Sequence, residues 1–197
     1  NPNSNLRLGS GIMRWRDMLD RGIPVCLGVD EAIADDAINM WSVMKGAASI
    51  HTLSDWDYEK WPQATEVLKA ATQTGGKAMR EPGLGELSVG APADLILIDL
   101  KALPFVPLNN LQRQLVHCEF GQSVRLTMVA GRVVARDGRL ETVDETAILA
   151  EASAFFAGKQ KAMDMADQQV ETLLPYYREM YLRAGQQDLP MERRLRH

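Results

Sequence analysis

Hydrophobic positions in the first third of the chain recur three and four residues apart, merge into one continuous run, and then resume the helical period. Asn5 to Gly11 is rich in turn formers and predicts a loop, with Ser10 as a candidate cap for the next helix. Ile12, Trp15, Met18 and Leu19 have helical spacing, and Gly22 stands where such a helix would stop. Ile23 to Val29 is a short apolar run between breakers, the pattern of a buried parallel strand, and it ends abruptly at Asp30-Glu31. A helix is predicted from about Ala37 to His51, with Ile38, Trp41, Met44 and Ala48 on one face. A polar loop, Ser54 to Pro62, leads to a helix over Ala64 to Thr74 that Gly75-Gly76 would end.

From about residue 82 the period shortens. Leu95 to Ile98 predicts a strand, Val116 to Glu119 and Arg125 to Ala130 predict two more, and Gly131-Arg132 turns into Val133-Val134-Ala135 as in a hairpin closed at Asp137-Gly138. After Asp144 the helical spacing returns. Ile148, Leu149, Ala152, Phe155 and Phe156 precede Gly158, and Met163, Val170, Leu173, Leu174, Tyr177, Met180 and Tyr181 come after it. Pro175 is expected to kink or divide this stretch. Strand–helix alternation and then a strand-rich patch predict the end of an α/β unit joined to a small β module.

Composition narrows the class. With 197 residues, 46% hydrophobic and 24% charged, the chain is that of a globular protein with one core, or one core and an appendage, not a collagen-like, disordered or membrane-spanning one. The net charge of −4 argues against nucleic acid as the main partner. No apolar run approaches the roughly 18 residues of a membrane span. Two cysteines, Cys26 and Cys118, are too few for a disulfide framework and point to a reducing cytoplasm. The start, Asn1-Pro2-Asn3-Ser4, carries no Met and no signal-type segment and reads like the middle of a longer chain.

The sharpest chemical feature is Asp30 at the end of the predicted buried strand. In α/β barrels catalytic side chains gather at the C-terminal ends of strands, and a carboxylate there can bind a metal or take a proton from water. A turn or capping role is the competing reading of the same position. Glu31, Asp35 and Asp36 make an acidic loop that lacks the EF-hand spacing, and Asp35 and Asp36 suit the first turn of the next helix. His51, His117 and His197 form neither His-x-His nor His-x-x-x-His, so they read as structural or terminal rather than as a zinc set. Cys26 reads as a small core residue. Ser4 and Ser10 lack a nearby histidine and a nucleophile elbow, and Gly83-Leu84-Gly85 lacks the third glycine of a dinucleotide loop.

Taken in order, several segments resemble the metal-dependent amidohydrolases, in the branch of cytosine-deaminase-like aminohydrolases and triazine chlorohydrolases. Ser4-Asn5-Leu6-Arg7-Leu8-Gly9-Ser10-Gly11 is similar to the family's loop after barrel strand seven, and Gly22 to Asp30 to its strand eight, which usually ends Gly-Thr-Asp. Ala71-Thr72-Gln73-Thr74-Gly75-Gly76-Lys77-Ala78 is similar to the helix ending Ala-Thr-x-x-Gly-Ala-x-Ala. Gly85 to Asp99 is similar to the re-entry into a β-sandwich, and Val129-Ala130-Gly131-Arg132-Val133-Val134 to the hairpin Val-x-Gly-x-x-Val. Val29, Glu31 and Ala34-Asp35-Asp36 depart from the usual Thr, Gly and Ser-Asn-Asn.

The resemblance implies an α/β fold: the C-terminal part of a (β/α)8 TIM barrel over residues 1–80, part of a small β-sandwich over 81–143, and a helical C-terminal extension over 144–197. It implies Asp30 as the catalytic and metal-binding residue, with Glu31, Asp35, Asp36, Ser4 and Asn5 as substrate-loop candidates. Zinc is the expected metal and iron the alternative, with the histidine ligands outside this chain. The expected partners are an N-terminal half or second chain carrying His-x-His, a small heterocyclic substrate, and further copies in a homo-oligomer, with neither nucleic acid nor membrane. The expected activity is hydrolysis of a C–N or C–halogen bond of a heterocycle. The alternatives are cyclic amide or imide hydrolysis, or a non-catalytic subunit descended from such an enzyme.

Overall fold

The computed structural model describes residues 1–186, which fall into two compact units, 1–141 and 142–186. The first unit begins with short helices: α1 (Pro2–Arg7), α2 (Trp15–Asp20), α3 (Ala32–Asp35), α4 (Met40–Ile50), α5 (Ala64–Ala71) and α6 (Gln73–Met79). A strand β1 (Leu95–Ile98), a helix α7 (Leu111–His117) and strands β2 (Val124–Val129), β3 (Arg132–Arg136) and β4 (Arg139–Leu140) come next. The second unit holds α8 (Glu145–Ala157) and α9 (Gln160–Gln186).

The core gathers around α4. Met44, Ala47 and Ala48 are buried on one of its faces and pack with Trp15 of α2, Val25, Val67 and Ala70 of α5, and Val116 of α7. Asn39 starts α4 by accepting from the Trp41 and Ser42 N–H groups at 2.9 and 3.3 Å, satisfying donors that a helix leaves open. The helix therefore begins later than predicted, and Ile38, expected on its inner face, is 64% exposed. Arg16 on α2 binds the Glu66 carboxylate on α5 through both terminal nitrogens, at 3.0 and 2.8 Å, fixing the two helices beside each other.

Three sequence expectations fail here. Residues 5–11 are partly helix, and Ser10 caps nothing, because α2 starts later, at an Arg14 cap without a side-chain bond. Residues 23–29 form no strand. A strand exists only as part of a ladder, and this segment's backbone bonds, from Ile23 N–H to Met18 O at 2.9 Å and from Leu27 N–H to Ala70 O at 3.1 Å, both reach helical neighbours and build none. Residues 116–119 are not a strand either. Asn110 accepts from Arg113 N–H at 2.9 Å and starts α7, so Val116 enters the core from a helix.

Gly75-Gly76 does not end a helix but lies inside α6. A Cβ on Gly76 would stand 2.1 Å from the Leu84 carbonyl oxygen, so the glycine permits a close backbone crossing. The sheet is a small antiparallel meander in the order β1-β2-β3-β4, with Ile96 opposite Thr127 and Thr127 opposite Ala135. Ala130-Gly131 and Asp137-Gly138 all have positive φ, as two-residue hairpin turns require. Pro175 lies within α9 and does not divide it. The break between the last two helices falls instead at Gly158-Lys159. No helix among the described residues is long and apolar enough to cross a membrane.

Candidate active site

Asp30 closes the 23–29 segment with φ of 73°, a left-handed conformation that aspartate tolerates better than most residues. Its carboxylate Oδ2 accepts a 2.5 Å hydrogen bond from the Ser4 hydroxyl. Ser4 is buried on α1 while Asp30 is exposed, so a fixed donor holds a carboxylate that faces outward. The Ser4 hydroxyl, then the Glu31 N–H, hold the Asp30 carboxyl below the ordinary aspartate range.

The other candidates lie around this pair in unequal ways. Asn3 donates to Ser42 Oγ at 2.8 Å and, more weakly, to Asp35 at 3.5 Å. Arg7 forms an ion pair with Asp36. Through Asn3, Ser4 and Arg7, then, one side of α1 is laced to the acidic loop. Glu31 stands at the cap position of α3, exposed and without a side-chain cap bond. Asp35 and Asp36, expected in the first turn of the long helix, do not lie there. Asp35 ends α3, and Asp36 comes after it in a left-handed conformation (φ 62°).

Asn5 is not among the hydrogen-bond partners of Asp30. It lines a small neighbouring pocket together with Leu6, Trp15, Val25, Cys26 and His51. Cys26 is exposed there, not the core residue its alternation suggested, because the segment carrying it is covered by no paired strand on that side. His51 is buried with Nδ1 2.7 Å from Ala47 O and its ring 5.3 Å from that of Trp15. It is a structural histidine, as its helix-end position implied. Asn3 and Arg7 were not legible as site residues, since Asn3 lies outside the motifs, Arg7 has no role of its own within the Ser4–Gly11 segment, and only the fold of α1 against the loop recruits them. His197 lies outside the described residues.

One exposed carboxylate does not compose a metal centre. Among the described residues no three His, Cys, Asp or Glu side chains converge, so the residues present do not by themselves hold a metal ion.

Residues 1–134 match the amidohydrolase family. Over 151 residues the chain is 42% identical to a 5-methylthioadenosine/S-adenosylhomocysteine deaminase of Nitratidesulfovibrio vulgaris, covering 77% of this chain and 34% of that protein. It is 36% identical over 152 residues to a 5'-deoxyadenosine deaminase of Methanosarcina mazei, covering 77% and 35%. The chain thus spans about a third of the length of the curated relatives it matches. Among solved structures, an adenosine deaminase from Xanthomonas campestris with bound zinc superposes with a TM-score of 0.76 at 27% identity, covering 81% of this chain and 36% of that one. The zinc complex of an atrazine chlorohydrolase from Arthrobacter aurescens superposes with a TM-score of 0.72 at 29% identity, covering 77% and 34%. With residues 1–134 matching the family and about four fifths of the chain superposing on the two zinc-bound structures, the chain belongs to the amidohydrolase family.

Proposed function

We propose that the protein acts as a hydrolase that removes an amino group from a heterocyclic ring, with the aminopurine of an adenosine-like nucleoside as substrate class. The observation that carries this reading is the likeness to deaminases of such nucleosides over most of the chain. In this reading residues 1–80 complete a TIM barrel with an N-terminal half or a second chain that brings His-x-His, and residues 81–143 complete a β-sandwich. The zinc in the two structural relatives supports zinc as the metal, with Asp30 one of its ligands and the others outside residues 1–197. Free, exposed Cys26 and Cys118 suit a cytoplasmic enzyme.

The chain's own contribution is proton transfer. Asp30 takes a proton from the attacking water as its oxygen bonds to the ring carbon. It then gives that proton to the leaving nitrogen, so the C–N bond breaks and ammonia departs. Ser4 positions Asp30 without meeting substrate, and Glu31 and Asp35 give the substrate loop a negative rim suited to donor-rich ligands, with Asp36 held in its ion pair with Arg7. Hydrolysis of a carbon–chlorine bond is the second reading, supported by the fold shared with the atrazine chlorohydrolase.

Ammonia release by the full-length protein from adenosine, 5'-deoxyadenosine and 5-methylthioadenosine tests the proposal. Asp30→Asn is expected to lower kcat by about 10²–10⁴-fold. Unchanged turnover in that variant, or ammonia release from none of the three nucleosides, overturns it.

A further inference from the structure

The helix α9 is 27 residues long, and its larger apolar side chains lie in the open. Met163, Ala166, Val170, Leu173, Tyr177 and Met180 succeed one another at alternating steps of three and four residues, the a and d positions of a heptad repeat. The five larger ones are 45–61% exposed, so the described residues of this unit leave the seam uncovered. Leu174 and Tyr181 flank it at e positions and widen it. Pro175, which removes a backbone donor, falls at an f position on the side away from the seam.

We propose that α9 pairs antiparallel with α9 of a second copy of this chain. The side-chain sizes select both the occupant and the direction. With a two-fold axis between Val170 and Leu173, Val170 of one copy faces Leu173 of the other, Ala166 faces Tyr177, and Met163 faces Met180. Small then meets large in the layer that needs it, as an isologous interface of well-filled layers demands. Parallel pairing would set Tyr177 against Tyr177 and Ala166 against Ala166, crowding one layer and leaving the other hollow. Charge agrees. Residues 160–171 carry Lys161 with Asp164, Asp167 and Glu171, a net −2, and 172–186 carry Arg178 and Arg183 with Glu179, a net +1. Antiparallel pairing sets each half against its opposite.

Sedimentation equilibrium of the full-length protein is expected to give an even number of copies, and Leu173→Asp to halve the mass at concentrations where the parent is fully assembled. A parent that sediments as a single copy, or an unchanged mass in the variant, overturns the pairing. A second measurement is independent of that substitution. Under oxidation the double variant Ala166→Cys/Tyr177→Cys should give a covalent dimer above the background set by Cys26 and Cys118, and Ala166→Cys alone should not. Cross-linking of Ala166→Cys alone would show parallel helices, and no cross-link in the double variant would show that α9 is covered by something other than its own copy. Either result refutes the proposal.

Discussion

At the scale of single residues, the arrangement turns on a hydroxyl and a carboxylate 26 positions apart in the chain. The Ser4 donor stabilises ionised Asp30 and fixes which of its oxygens faces out. Removing the donor costs the carboxylate both its orientation and part of its stabilisation. In the full-length protein, on the proposed deaminase reading, Ser4→Ala is expected to lower kcat/KM by about 10–100-fold, the usual effect of losing a partner that orients a site carboxylate. Because the hydrogen bond lowers the Asp30 pKa, its loss raises it, so the acid limb of the kcat/KM profile should move to higher pH. A profile that keeps its acid limb while the rate falls would assign Ser4 to structure alone. Asp30 is legible without the fold, since a carboxylate that ends an apolar run is visible in sequence. Its contact with Ser4 is not, because no local period relates positions 4 and 30.

At the scale of elements, close backbone crossings decide what short-range signals leave ambiguous. The link from α6 to β1 passes Gly85, which has φ of 80° and where a Cβ would stand 2.5 Å from the Thr72 carbonyl oxygen. Gly85→Ala is expected to destabilise by about 2–4 kcal/mol, combining a left-handed alanine with a backbone clash. Gly90 also has positive φ (89°) but open space around it, so Gly90→Ala should cost only about 1–2 kcal/mol. Urea midpoints of the two variants check this, and equal shifts would show that the Thr72 contact is unimportant. The same scale explains the mistaken elements. Val116 to Glu119 is too short for its apolar pattern to separate strand from helix, and the Asn110 cap settles it. The meander was legible because Gly131 and Asp137-Gly138 force hairpin turns wherever the strands pair.

At the scale of the whole molecule, His51 ties the core to pH. Burial beside Trp15 lowers its pKa, only partly offset by the bond to Ala47 O. Between that lowered value and the ordinary one near 6.5 the unfolded chain binds a proton that the folded chain does not, so stability rises with pH across this window. Taking the pH down from about 7.5 to about 5.5 should therefore lower the melting temperature, and His51→Gln should flatten that slope. His117, lowered by burial and by Arg113 and Lys45, adds a slope of the same sign. The carboxylates held low, Asp30, Glu66 and Asp99, lose their contribution only at more acid pH, as they protonate. An equally steep slope without His51 would place the proton elsewhere.

The family, the hairpins, the two terminal helices and the prominence of Asp30 are written in the chain itself, because turn residues, periods and ordered motifs are local and survive without the fold. Tertiary structure alone settles that 23–29 carries no ladder, that α1 brings Ser4, Asn3 and Arg7 to the acidic loop, and that Cys26 faces a pocket. Those outcomes depend on which distant backbone supplies a hydrogen-bond partner and which surface is left uncovered, and no spacing along one chain encodes either.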